Sequence, residues 1–136
     1  IEEYLEKYPD GEDSDRLRWT LFNMNNSVRE YEGSASLLLS QAQKMENFLI
    51  GNPNSKIMEN IKVKIAGLYR YANESVNLNL SRSGVSKEEG EIIYSRLITL
   101  YQELLESENI VTRESARCSL YNIAHNRRYN MNPNAW

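Results

Sequence analysis

Leu49-Ile50-Gly51-Asn52-Pro53-Asn54-Ser55 is the stretch on which the reading of this chain turns. Gly51 offers a left-handed stop, Pro53 lacks the amide a continuing helix needs, and the polar residues after it can cap a new helix. Behind the corner, Leu38, Ala42, Met45 and Leu49 recur at steps of three and four; ahead of it, Ile57, Ile61, Ile65, Leu68 and Ala72 do the same. Each set is one apolar stripe of an amphipathic helix. The stretch therefore predicts two helices joined by a tight corner.

The same pattern extends outward in both directions. Leu17, Leu21, Met24 and Val28 form a stripe upstream, and Ile93, Leu97, Leu100, Leu104 and then Ala116, Leu120, Ile123 form two downstream. No run alternates with the period of two that a half-buried strand requires. The spacing predicts an all-α protein of six helices, at about 1–8, 14–30, 34–50, 55–74, 87–107 and 112–128. Pro9-Asp10-Gly11 ends the first helix, with Asp13 or Ser14 as acceptor for the next, and Gly33-Ser34 separates the second from the third. Ser86-Lys87-Glu88-Glu89 reads as a capping box, Thr112 as the last cap, and Asn73 to Val85 as the longest polar connection.

Composition sets the bounds. With 136 residues, 40% apolar and 26% charged, the chain has the size and make-up of one globular domain, 1–136. A net charge of −3 gives no steering toward nucleic acid. The single Cys118 excludes an internal disulfide and any multi-cysteine metal site. Leu37-Leu38-Leu39, enclosed by serines, is far from the roughly 18 apolar residues of a membrane span. The opening Ile1-Glu2-Glu3-Tyr4-Leu5 reads as a helix already under way, the expectation for a fragment of a longer chain.

Self-comparison reveals a repeat. Leu5 and Pro9 align with Leu49 and Pro53 at an offset of 44, and Leu17 falls on Ile61. A third copy aligns Leu104 with Leu49, Ala116 with Ile61, Leu120 with Ile65 and Ile123 with Leu68 at an offset of 55, with Glu108 in place of the proline. A helix ending at a corner, a second helix, and a neighbour that covers the face both leave open is the logic of a stacked array. The pattern resembles the tetratricopeptide-repeat class, in the degenerate form found in bacterial envelope proteins such as the lipoproteins of the outer-membrane β-barrel assembly machinery. Ile65, Ala66 and Tyr69 match the family's large, small and aromatic positions, and Pro53 its terminal proline. Phe22 and Tyr121 stand at the small position in the other copies, and Asn25 and Ala124 at the aromatic one. A HEAT- or armadillo-like array, or a non-repetitive bundle, would leave the same stripes.

The resemblance implies a short α-solenoid that acts as a non-enzymatic scaffold, binding a peptide or protein on its inner helical face, in a periplasmic or envelope setting. It places the groove-lining positions on Arg16, Trp19, Asn23 and Asn26 in the first copy. Asn60, Val63, Gly67, Arg70 and Tyr71 follow in the second, and Ser115, Cys118, Asn122, His125 and Asn126 in the third. The binding candidates among these are Trp19, Asn23, Asn26, Arg70, Tyr71, Asn122, His125 and Asn126. Amides match a peptide backbone, Arg70 can pair with a carboxylate, and Trp19 or Tyr71 can anchor an apolar group. The expected groove holds almost no carboxylate.

Other chemistry finds little support. His125 is the only histidine, which removes His-based triads and His pairs, and near a helix end it suits dipole compensation. Cys118 beside apolar residues reads as packing. Glu88, Glu89 and Glu91, like Glu2 and Glu3, lie at helix starts, and Gly67 reads as permitting close helix approach. Tyr69, Tyr94, Tyr101 and Tyr121 suit helix contacts with the hydroxyl at the surface. No phosphate loop or acidic metal loop occurs, so no cofactor or metal is assigned and no catalytic residue is named. Charge is uneven: Glu2, Glu3, Glu6, Asp10, Glu12, Asp13 and Asp15 crowd one end, and Arg113, Arg117, Arg127 and Arg128 the other. That asymmetry suits head-to-tail self-association. Two alternatives stand beside the scaffold: an accessory helical domain of a larger enzyme, and a nucleic-acid binder using the arginines with Tyr121 and Tyr129, which the net charge disfavours.

Overall fold

The computed structural model describes residues 1–11, 13–26, 35–53, 57–78 and 84–130, without the side chains of 26, 78 and 126–130. The protein is all-α. Its helices are α1 (Glu2–Lys7), α2 (Ser14–Asn26), α3 (Ala35–Gly51), α4 (Met58–Leu78), α5 (Lys87–Leu104) and α6 (Ile110–Asn130), with no strand among the described residues. The predicted break at Gly33-Ser34, the stripe residue Val28, Glu12 and the predicted cap Ser55 lie outside the described residues.

Consecutive helices pack on one another from α3 to α6, and α1 on α2. The links across α4 and α5 fix their sense. Glu59 meets Ser107, Lys62 meets Glu103, and Val76 meets Gly90, so residue numbers rise along one helix as they fall along the other. Arg70 meets Ser119, and Val63 shares a cavity with Val111, so α4 and α6 run the same way on either side of α5. Helices end at Lys7, Gly51 and Leu104, and the next ones start at Ser14, Met58 and Ile110. The first two corners keep the offset of 44, whereas the third comes two to three residues earlier than an offset of 55 puts it; the consecutive packing of the helices is solenoid-like.

The core follows the predicted stripes. Leu38, Ala42 and Met45 of α3, Ile61, Ile65, Leu68 and Ala72 of α4, Ile93, Leu97, Leu100 and Leu104 of α5, and Ala116 and Ile123 of α6 form one cluster. Ala66 and Tyr69 are buried with them. The α2 stripe differs: Met24 is exposed, because α2 docks through Trp19 and Phe22 on another face. Those rings stack 5.5 Å apart and both tilt against Phe48 of α3, at 5.3 and 5.1 Å.

Several local expectations are corrected. Ser14 does not cap α2 with its oxygen; it is buried and donates to the carbonyl of Tyr8, tying the corner shut. Gly51 is not left-handed, since Gly84 is the one described glycine with positive φ. The stop instead comes from Asn52, whose side chain donates to the Phe48 carbonyl at 2.9 Å. Asn73 is buried inside α4, which runs on to Leu78 because Val76 packs against Gly90 of α5. The last cap is Asn109 rather than Thr112: its Oδ1 accepts from the amides of Val111 and Thr112 at 2.9 and 3.2 Å. The capping box is present as read, with Ser86 Oγ accepting from the Glu89 amide at 3.1 Å and Glu89 accepting from the Ser86 amide.

Candidate functional site

Between α4 and α6, above α5, runs a groove of about 510 Å³, within the range of ligand sites in proteins. It exists because α4 and α6 are separated by the helix both pack on. Tyr101 and Leu104 of α5, with Ala116 and Ser119 of α6, are the buried residues of its lining. One wall is the face of α4 that carries Val63, Gly67, Arg70, Tyr71 and Glu74; the other is the face of α6 that carries Val111, Thr112, Ser115 and Ser119. Apart from the adjacent pairs Arg70-Tyr71 and Val111-Thr112, the successive positions on each wall are three or four apart, the spacing that keeps residues on one side of a helix.

Two polar links join the elements around the groove, one within its lining and one beyond its Val63 end. At one, the Arg70 guanidinium donates to Ser119 Oγ at 3.4 Å and pairs with Glu74, one turn along α4, also at 3.4 Å. At the other, Ser107 in the α5–α6 corner donates to Glu59 of α4 at 2.6 Å, its Oγ accepts the Asn109 amide at 3.0 Å, and Arg113 reaches its carbonyl. Four of the five second-copy positions, Val63, Gly67, Arg70 and Tyr71, line this groove, as does Ser115 of the third.

The remaining candidates lie elsewhere. Trp19 is half-buried in the aromatic cluster, with Lys64 5.9 Å from its ring centre, and Asn23 is half-buried on the same helix. Neither lines the groove. Asn122 and His125 lie beyond the Arg70–Ser119 link, exposed on α6, where His125 stacks on Tyr121 at 6.2 Å. The side chains of Asn26 and Asn126 are outside the described residues, as are those of Arg127, Arg128 and Tyr129.

Four residues behave differently from expectation. Glu74 puts a carboxylate in the groove, and its place four residues after Arg70 was the available signal. Gly67 serves no close helix approach: a Cβ built there has nothing within 4 Å, so the glycine widens the groove instead. Cys118 is exposed rather than packed. Tyr121 is 71% exposed, whereas Tyr69 and Tyr101 are buried as read.

A second polar cluster joins three helices. Glu46 of α3 accepts from the Tyr69 hydroxyl of α4 at 3.2 Å and from Arg96 Nε of α5 at 2.7 Å. Burial first, then the Glu46 charge, pushes the Tyr69 hydroxyl well above the ordinary tyrosine range. Burial by itself would lower the Arg96 guanidinium, but its bond to Glu46 raises it on balance. Beside this cluster a cavity of about 340 Å³ lies over Leu49, Ile65 and Leu100, rimmed by the Glu46–Arg96 and Lys62–Glu103 pairs.

Among the described residues, no three His, Cys, Asp or Glu side chains are grouped to hold a metal, and no helix is long and apolar enough to cross a membrane. Comparison with known proteins returns no match: no family model, no curated protein and no solved structure is significantly similar to this chain.

Proposed function

We propose that this chain is a tetratricopeptide-like helical-repeat module whose task is to hold a peptide or protein segment in the groove between α4 and α6, without catalysis. The observation that carries the reading is the coincidence of that groove with positions chosen from the repeat alone. Val63, Gly67, Arg70, Tyr71 and Ser115 fall on it although they come from two copies separated by the whole of α5. Exposed Val63, Tyr71 and Val111 supply apolar surface for a ligand, and the hydroxyls of Thr112 and Ser115 supply donors and acceptors.

Selection from a displayed random heptapeptide library tests the reading. The wild-type chain enriches binders; Gly67→Phe, which fills the groove, loses them; and Ile92→Ser, on an exposed site of α5 outside the groove, keeps them. Equal enrichment on Gly67→Phe, or none on the wild type, would refute it.

A further inference from the structure

We infer that the occupant of the α4–α6 groove is an extended, uncharged peptide segment of about three residues, with one aliphatic side chain seated in the gap at Gly67. The inference rests on the peptide-site reading above and adds the ligand's chemistry.

Charge comes first. The groove's described lining holds one cation and one carboxylate, Arg70 and Glu74, and each already neutralises the other at 3.4 Å. Ser119 takes a further donor of the guanidinium. An acidic ligand must pull Arg70 from Glu74 and leave that carboxylate uncompensated; a basic one must do the reverse. Either exchange replaces one ion pair by another at side chains that are 35% and 50% exposed, where a pair adds little, so a charged ligand gains little net attraction. What remains for recognition is hydroxyl, at Tyr71, Thr112 and Ser115. Hydroxyls both donate and accept, as the alternating N–H and C=O groups of an extended backbone require.

Shape comes next. The absent Cβ at Gly67 leaves open space on the α4 wall, and the surrounding surface is apolar, from Val63 and Val111 to the buried Leu104 and Ala116. An aliphatic branch fits there. Length follows from the helix: Val63 to Glu74 spans about 16 Å at about 1.5 Å per residue. The Arg70–Ser119 link crosses that run one turn before Glu74, leaving about 10 Å from Val63, which at about 3.3 Å per extended residue holds about three residues.

The experiment uses the whole chain and three displayed heptapeptide libraries, each with a fixed central Leu. Flanks are drawn from Ala, Ser and Gly in the first, Asp and Glu in the second, Lys and Arg in the third. The expected result is enrichment of the neutral library, changed less than about threefold between about 50 and 300 mM NaCl, since uncharged contacts are unscreened. Gly67→Phe and, from the facing wall, Ser115→Leu should each abolish it, with helical content checked by circular dichroism. Enrichment of the acidic or basic library, or binding lost with salt, overturns the inference while leaving a peptide site in place. Enrichment of none overturns both. Neutral peptides retained by both variants would place binding outside the groove and overturn both as well.

Discussion

Replacing Glu46 with Ala removes the acceptor shared by Tyr69 and Arg96, and the two losses differ in kind. Tyr69 is 3% exposed, so its hydroxyl would be left without the carboxylate and with little access to water. A hydrogen bond from a buried donor to a charged acceptor is worth about 1.5–3 kcal/mol. The Arg96 side chain is 39% exposed, so its contact, though shorter at 2.7 Å, is screened by solvent and worth under about 1 kcal/mol. Together they put the cost of Glu46→Ala at about 2–3 kcal/mol. For a chain of this size that lowers Tm by about 6–10 °C. Double-mutant cycles followed by urea or thermal unfolding separate the parts. The Glu46–Tyr69 coupling, from Glu46→Ala with Tyr69→Phe, should exceed the Glu46–Arg96 coupling, from Glu46→Ala with Arg96→Ala. Only the latter should shrink in high salt. A larger Arg96 coupling, or a cost for Glu46→Ala below about 0.5 kcal/mol, would refute the claim that burial outweighs distance here.

Five further outcomes are expected. Gly67→Ala should stabilise by about 0.5–1 kcal/mol in chemical unfolding, because a mid-helix Cβ there meets nothing, whereas Gly90→Val should destabilise by about 1–3 kcal/mol against Val76, 3.1 Å from the site of a Cβ. Ser86→Ala should cost about 1 kcal/mol and lose the Glu89 amide's protection from hydrogen exchange. Since the folded Tyr69 hydroxyl is raised above its unfolded value near 10, it contributes stability fully present below about pH 10 and progressively lost above it. The alkaline fall in Tm should be shallower in Tyr69→Phe. Gln41 is 2% exposed and its Oε1 has no hydrogen-bond partner among the described residues, so Gln41→Leu should raise stability by about 1 kcal/mol.

The helices were legible because burial on one side of a helix writes itself into steps of three and four. Ile61, Ile65 and Leu68, like Ile93, Leu97 and Leu100, could be placed in the core without coordinates. The Ser86–Glu89 box was equally plain, since both its partners lie within one turn. Period alone does not say whether a neighbour arrives to cover a stripe, and that is how Met24 and Tyr121 came to be misjudged. The Asn109 cap depends on where the chain leaves α5, three residues earlier than the apolar spacing suggested. Glu46, Tyr69 and Arg96 stand 23 and 50 residues apart on three helices and meet only through packing. Of the candidate site, Arg70 and Tyr71 share the groove because they sit on one wall of it. Trp19 and His125 sit on helices whose inward positions the repeat alignment assigned without knowing where the groove would end.

The ties at Glu59–Ser107 and Arg70–Ser119 join α4 to the α5–α6 corner and to α6 itself. Under the peptide-site proposal, a visitor to the groove meets walls that are already linked. Entry should then follow single-exponential kinetics whose rate rises linearly with ligand concentration, without the plateau that a slow opening would impose.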